Sequence, residues 1–145
     1  MNDFANSYNS QTMNNIVIRA KDVTGQWVTG DLVHNKRVTA TGLAPRTMVG
    51  GCEVDPNTVS LFSGVCDIKG VKIFEGDILK VECTDGSSIY KLVRFVPGKA
   101  AFCMANTIEL NAEGKWDIWS YMSQRWINEM EAIVIGNIYD NPDLL

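Results

Sequence analysis

Phe62-Ser63-Gly64-Val65-Cys66-Asp67-Ile68-Lys69-Gly70-Val71-Lys72-Ile73-Phe74-Glu75-Gly76-Asp77-Ile78-Leu79-Lys80-Val81 carries the densest structural signal in this chain. Asp67-Ile68-Lys69-Gly70 suits a tight turn in which Gly70 supplies a positive φ. Glu75-Gly76-Asp77 predicts a second kink that feeds a strand over Ile78–Cys83. Outward from there the pattern repeats. Thr84-Asp85-Gly86-Ser87 is a hairpin signal, because Asp-Gly favours the primed turns that match strand twist. Ser88–Val96 returns, Pro97-Gly98 turns, and Lys99–Met104 adds a third antiparallel strand. Ala132–Tyr139 reads as a closing strand buried on both faces.

Towards the amino terminus, Ile16–Ala20 and Gln26–Val33 predict a hairpin around Asp22-Val23-Thr24-Gly25. Val38–Thr41 is a short strand, and Asp55 followed by Pro56 marks the start of a helical turn. Residues 120–130 fit either a helical turn or a loop. Short strands at this spacing predict a mainly β fold, β-rich α+β at most: a small SH3-like barrel or sandwich with an N-terminal β-hairpin. Residues 1–14, rich in Asn, Ser, Gln and Thr, read as a flexible polar arm. The β domain then spans 15–145, with a hairpin region at 15–50 and a barrel region at 51–145.

The chain has 145 residues, enough for one domain that buries roughly 70% of its unfolded surface without a metal or disulfide. The net charge of −4 disfavours non-specific binding to nucleic acid, which needs Lys and Arg to neutralise phosphates. No apolar run approaches the ~20 residues of a bilayer span, and Met1–Ser7 lacks signal-peptide character, so export is not expected. Cys52, Cys66, Cys83 and Cys103 form no Cys-x-x-Cys pair, which argues against zinc and redox motifs. No cofactor or metal is expected.

Few residues are placed for catalytic chemistry. His34 is the only histidine, and Val33-His34-Asn35-Lys36 reads as an exposed loop. Glu75 and Asp77 flank Gly76, but turn geometry accounts for them more simply than paired-carboxylate catalysis. Asp67 and Asp140 read the same way. Gly50-Gly51 lacks the lysine and helix of a phosphate loop. An enzyme is therefore the weakest reading. Two surfaces remain. Trp119, Tyr121 and Trp126 are candidate anchors of a self-association or partner surface, since aromatics bring rigid area at low entropic cost. Tyr90, Lys91, Arg94 and Lys99 are candidate contacts for nucleic acid on an SH3-like or OB-like barrel. Alternation puts Lys91, Val93 and Phe95 on one face of that strand and Tyr90, Leu92 and Arg94 on the other.

Three blocks carry a family resemblance: Ile18-Arg19-Ala20-Lys21-Asp22 leading to Gln26-Trp27-Val28, Val54–Val59 through Glu75-Gly76-Asp77-Ile78, and Val134–Leu145. Over roughly 15–145 the chain resembles the YopX family of phage and prophage proteins. That family's middle block reads tyrosine-threonine-glycine-leucine, then isoleucine-tyrosine-glutamate-glycine-aspartate; Phe62–Val65 and Ile73–Asp77 occupy those places here. Residues 1–14 and the tryptophan-rich 116–126 depart from it. The resemblance implies a mostly β fold, a phage or prophage gene, the cytoplasm of a bacterial host, and no reaction. The expected function is that of an accessory protein-binding or self-assembling module, a possible homo-oligomer or partner of a host or phage protein. A nucleic-acid-associated module is the alternative.

Overall fold

A computed structural model describes residues 16–108 and 119–145; the predicted N-terminal arm and the start of the tryptophan-rich stretch 116–126 lie outside the described residues. The protein is mainly β, as the turn spacing predicts. It divides into two compact units, one ending at Phe62 and the other beginning at Ser63.

In the first unit β1 (Ile18–Lys21) and β2 (Trp27–Gly30) form the expected hairpin. Asp22 Oδ1 closes it, accepting from the N–H groups of Thr24 (2.9 Å) and Gln26 (3.0 Å). These bonds, with that from the Thr24 hydroxyl foremost, hold the Asp22 carboxyl below its ordinary value of 3.8. The predicted return strand does not continue to Val33. It breaks at Gly30, and a new strand, β3 (Leu32–Thr39), pairs along its whole length with β4 (Gly42–Val49). The break follows from crowding: a Cβ on Gly30 would overlap Gly50 Cα, so two glycines are needed where the chains touch. The strand β5 (Cys52–Glu53) completes a sheet of order β3-β4-β5. Ala20, Val49 and Val54 make the core, with Ile18, Val28, Leu32 and Val59 packed round them. Asp55 caps the helical turn Pro56–Thr58 through Asn57 N–H, as its sequence predicts. His34, expected in a loop, lies in the middle of β3.

β6 (Ser60–Cys66) starts in the first unit, where Ser60 and Leu61 pair with β1, and leads into the second. There the chain turns at Asp67–Gly70 into β7 (Lys72–Phe74). A five-stranded antiparallel sheet follows, of order β11-β10-β9-β8-β12. Its strands are β8 (Asp77–Glu82), β9 (Ser88–Val96), β10 (Ala101–Asn106), β11 (Ser120–Tyr121) and β12 (Ile133–Asn137). Both faces are covered. Leu79, Val81, Val93 and Met104 pack on one side against Ile73, Ala132 and Ile127 of the short helix α1 (Gln124–Met130). Their neighbours Ile78, Leu92, Cys103 and Ala105 face the other way, against Trp119. Burial there pushes the Cys103 thiol above its ordinary range.

Among the described residues the sheets stay open, and no barrel closes. Two features explain this. β11 is two residues long, and β12 breaks its ladder with β8 at a bulge between Val134 and Gly136. β12, expected to be buried on both faces, is an edge strand whose residues Ile133–Gly136 are half-buried. The unreadable stretch 120–130 resolves into β11 and α1. Ser123 caps the helix by accepting from Trp126 N–H, and Glu131 ends it at φ 52°.

Candidate functional site

The acidic residues of the signature blocks are engaged with backbone. Asp67, 5% exposed, accepts at Oδ1 from Lys69 and Val71 N–H (2.9 Å each) and at Oδ2 from Val134 N–H (3.0 Å). Asp77, 1% exposed, accepts at Oδ2 from Phe74 N–H (2.8 Å). Glu75 Oε2 accepts from Phe95 N–H at 3.1 Å. The closing block is tied in the same way. Asn137 Oδ1 accepts from the N–H groups of Tyr139 and Asp140, and its Nδ2 donates to Asp140 Oδ2. The two blocks meet where Ile138 N–H donates to the Gly76 carbonyl at 2.9 Å. Gly76 itself has φ +88°, and a Cβ there would press on the Tyr139 ring. These side chains hold turns together through the main chain.

The aromatic and cationic candidates sort into two groups on opposite faces of the five-stranded sheet. Register places Arg94 beside Cys103 and Cys103 beside Tyr121. On this face Trp119 is buried, 8% exposed, against Ile78 and Leu92, whereas Tyr121 is 61% exposed. Lys99 stands over the Tyr121 ring, its Nζ 5.3 Å from the centroid. The β9–β10 connection sets it there: Pro97–Lys99 form one helical turn that ends on Ala100 at φ 49°, a left-handed conformation unusual for a residue with a Cβ. Arg94, Phe95, Val96, Pro97 and Trp119 line a shallow cleft of about 230 Å³ beside them. The result is a patch of exposed aromatic surface under a cation, chemistry suited to carboxylate-bearing and apolar partner side chains.

The second group is more enclosed. Trp126, on α1, packs against the core of the opposite face, and Lys91 Nζ lies 5.5 Å from its ring. Lys91 also donates to Asn106 Oδ1 at 2.8 Å. Tyr90 is 37% exposed and lines a different cleft with Ser88, Ile89, Asn106, Thr107 and Ile108. The four residues proposed for nucleic acid thus do not form one platform: Arg94 and Lys99 join Tyr121, Lys91 joins Trp126, and Tyr90 stands apart.

In the first unit His34 lines a cleft of about 280 Å³ with Asn35, Arg46, Thr47 and Glu53. Its Nδ1 is 3.4 Å from Thr47 Oγ1, longer than the reach of an activated nucleophile, and Glu53 pairs instead with Arg37 at 3.5 Å. Among the described residues no group of three or more His, Cys, Asp or Glu side chains could hold a metal ion, and no helix is long and apolar enough to cross a membrane. The length of β3 and its exposed edge are not evident from the sequence, since Gly42 and Pro45 are residue types that usually interrupt strands. The sequence signal was Leu32-Val33 and Val38-Thr39 at the two ends of a run without either residue.

Comparison with known proteins agrees with this architecture. The crystal structure of protein EF1440 from Enterococcus faecalis superimposes with a TM-score of 0.54 at 17% sequence identity, over 90% of this chain and 97% of that one. At that identity the likeness concerns the fold alone. No curated protein matches the sequence. The model of the YopX protein family matches residues 9–145, a span that takes in the interlocked Glu75-Gly76-Asp77 and Val134–Leu145 blocks. With that match across nearly its whole length, the chain belongs to the YopX family.

Proposed function

We propose that the protein is a non-catalytic binding module of phage or prophage origin that acts through protein contacts in the cytoplasm of a bacterial host. The observation that carries this reading is the Tyr121–Lys99 pair. Tyr121 is 61% exposed on a two-residue edge strand, with a cation held over its ring and an aromatic-lined cleft alongside. Tyrosine anchored in this way presents rigid apolar area with a polar tip, the composition favoured at interface centres. Trp119 serves the patch from beneath by filling the core, and Trp126 does the same for α1. The engagement of Asp67, Glu75 and Asp77 with backbone N–H groups supports a role without catalysis.

Nucleic acid is the second reading, favoured by Arg94 and Lys99 flanking an exposed tyrosine and opposed by the net charge of −4. A photo-crosslinking side chain placed at position 121, with Val23 as the control position, separates the two in bacterial cells. Crosslinks to a protein, or to a second copy, at 121 and not at 23 support the proposal. Crosslinks to nucleic acid at 121 transfer the patch to the second reading.

A further inference from the structure

Strand β3 runs for eight residues at the edge of its sheet, and among the described residues its only strand partner is β4. Which of its main-chain groups face outward follows from one bond. Val54 N–H donates to the Thr47 carbonyl at 3.0 Å, so the main chain of Thr47 faces away from β3. Thr47 lies opposite His34, and alternation makes Lys36–Pro45 and Val38–Leu43 non-bonded pairs as well. Pro45 fits such a position, having no N–H to give. The N–H and C=O groups of His34, Lys36 and Val38 therefore point out of the sheet edge, a template for an added strand.

The same three side chains share one face. Val38 is 85% exposed and Leu43, directly opposite, is 66% exposed, which leaves an apolar step at the hairpin tip. Beside it the charge has one sign. β3 and β4 together contain Lys36, Arg37 and Arg46 and no Asp or Glu. On the other face Arg37 meets Glu53, and Arg46 donates to Asn35 Oδ1 at 2.6 Å. Lys36 has no carboxylate within ion-pair distance among the described residues. A second copy of β3 would bring the same cations and no acid to receive them, and like charges across a strand pair oppose pairing.

We propose that this edge takes up an extended acidic segment of another protein as an antiparallel strand. Read from its amino end, that segment places an apolar side chain opposite Val38 and acidic ones opposite Lys36 and His34, with one residue between each. This goes beyond the contact patch at Tyr121, belongs to the other compact unit, and stands or falls independently of it.

The test is NMR titration of the 15N-labelled full chain with the blocked peptide Thr-Val-Thr-Glu-Thr-Glu-Thr, which detects even weak binding residue by residue. The amides of His34, Lys36 and Val38 should shift. Lys36→Glu, at an exposed site and with an unchanged melting temperature, should weaken binding about tenfold. N-methylation of the glutamate opposite Lys36 should abolish the shifts, whereas methylation of the threonine next to it should not. Equal shifts from a peptide with both glutamates replaced by lysine would overturn the proposal, as would no shift at millimolar peptide. So would β3 shifts produced by oligothymidylate and not by the peptide, or a doubled mass with the β3 amides already protected from exchange.

Discussion

Asp67 spends its two carboxylate oxygens on three main-chain N–H groups, two on its own turn and one from Val134, 67 residues away. A buried acceptor set of that kind joins segments that lie far apart in the sequence. Asp67→Asn preserves the volume but turns one acceptor into an NH2 group facing an N–H. An unmet buried donor costs about 1–3 kcal/mol, so the melting temperature by circular dichroism should fall by several degrees. An unchanged melt would mean that the carboxylate is kept for something other than structure. The role of Asp67 was legible in part. Its bonds to Lys69 and Val71 follow from Asx-turn chemistry, where donor and acceptor lie two to four residues apart. The bond to Val134 was not, and neither was that of Glu75 to Phe95. Trp119 and Tyr121 make the same point: two aromatics two residues apart, one buried and one exposed, are assigned by strand pairings that no local pattern encodes.

At the scale of elements, the hairpin at Asp85-Gly86 and the capped turn at Asp55-Pro56 were readable because each is closed by residues within it. β3 and α1 were not. Proline usually ends a strand, yet Pro45 occupies a non-bonded position of the β3–β4 ladder, where a missing N–H costs nothing. The helix, seven residues long, is too short to declare a 3.6-residue period. Its stability comes from docking. Ile127 is fully buried against Leu79, Val81, Val93 and Met104, and Ile127→Ala should cost about 2–5 kcal/mol in denaturant unfolding. A loss below about 1 kcal/mol would show that α1 is not part of that core.

The whole molecule is a family fold in which Asp67, Glu75, Asp77 and Asn137 join turns to strands, and the proposed binding role rests on the surface instead. The mainly β class was legible from turn spacing alone. That the sheets of the described residues stay open was not, because closure depends on the length of β11, which has no composition signal, and on the bulge in β12, whose one local cue is Gly136. In the proposed patch, Tyr121 and Lys99 belong to neither core cluster of the second unit, so both can be replaced without opening the core. The decisive measurement is the yield of bacterial protein captured by the immobilised chain, wild type against Tyr121→Ala/Lys99→Ala. Specific capture should be lost while the melting temperature holds; capture by the double variant equal to wild type would rule out the proposed patch.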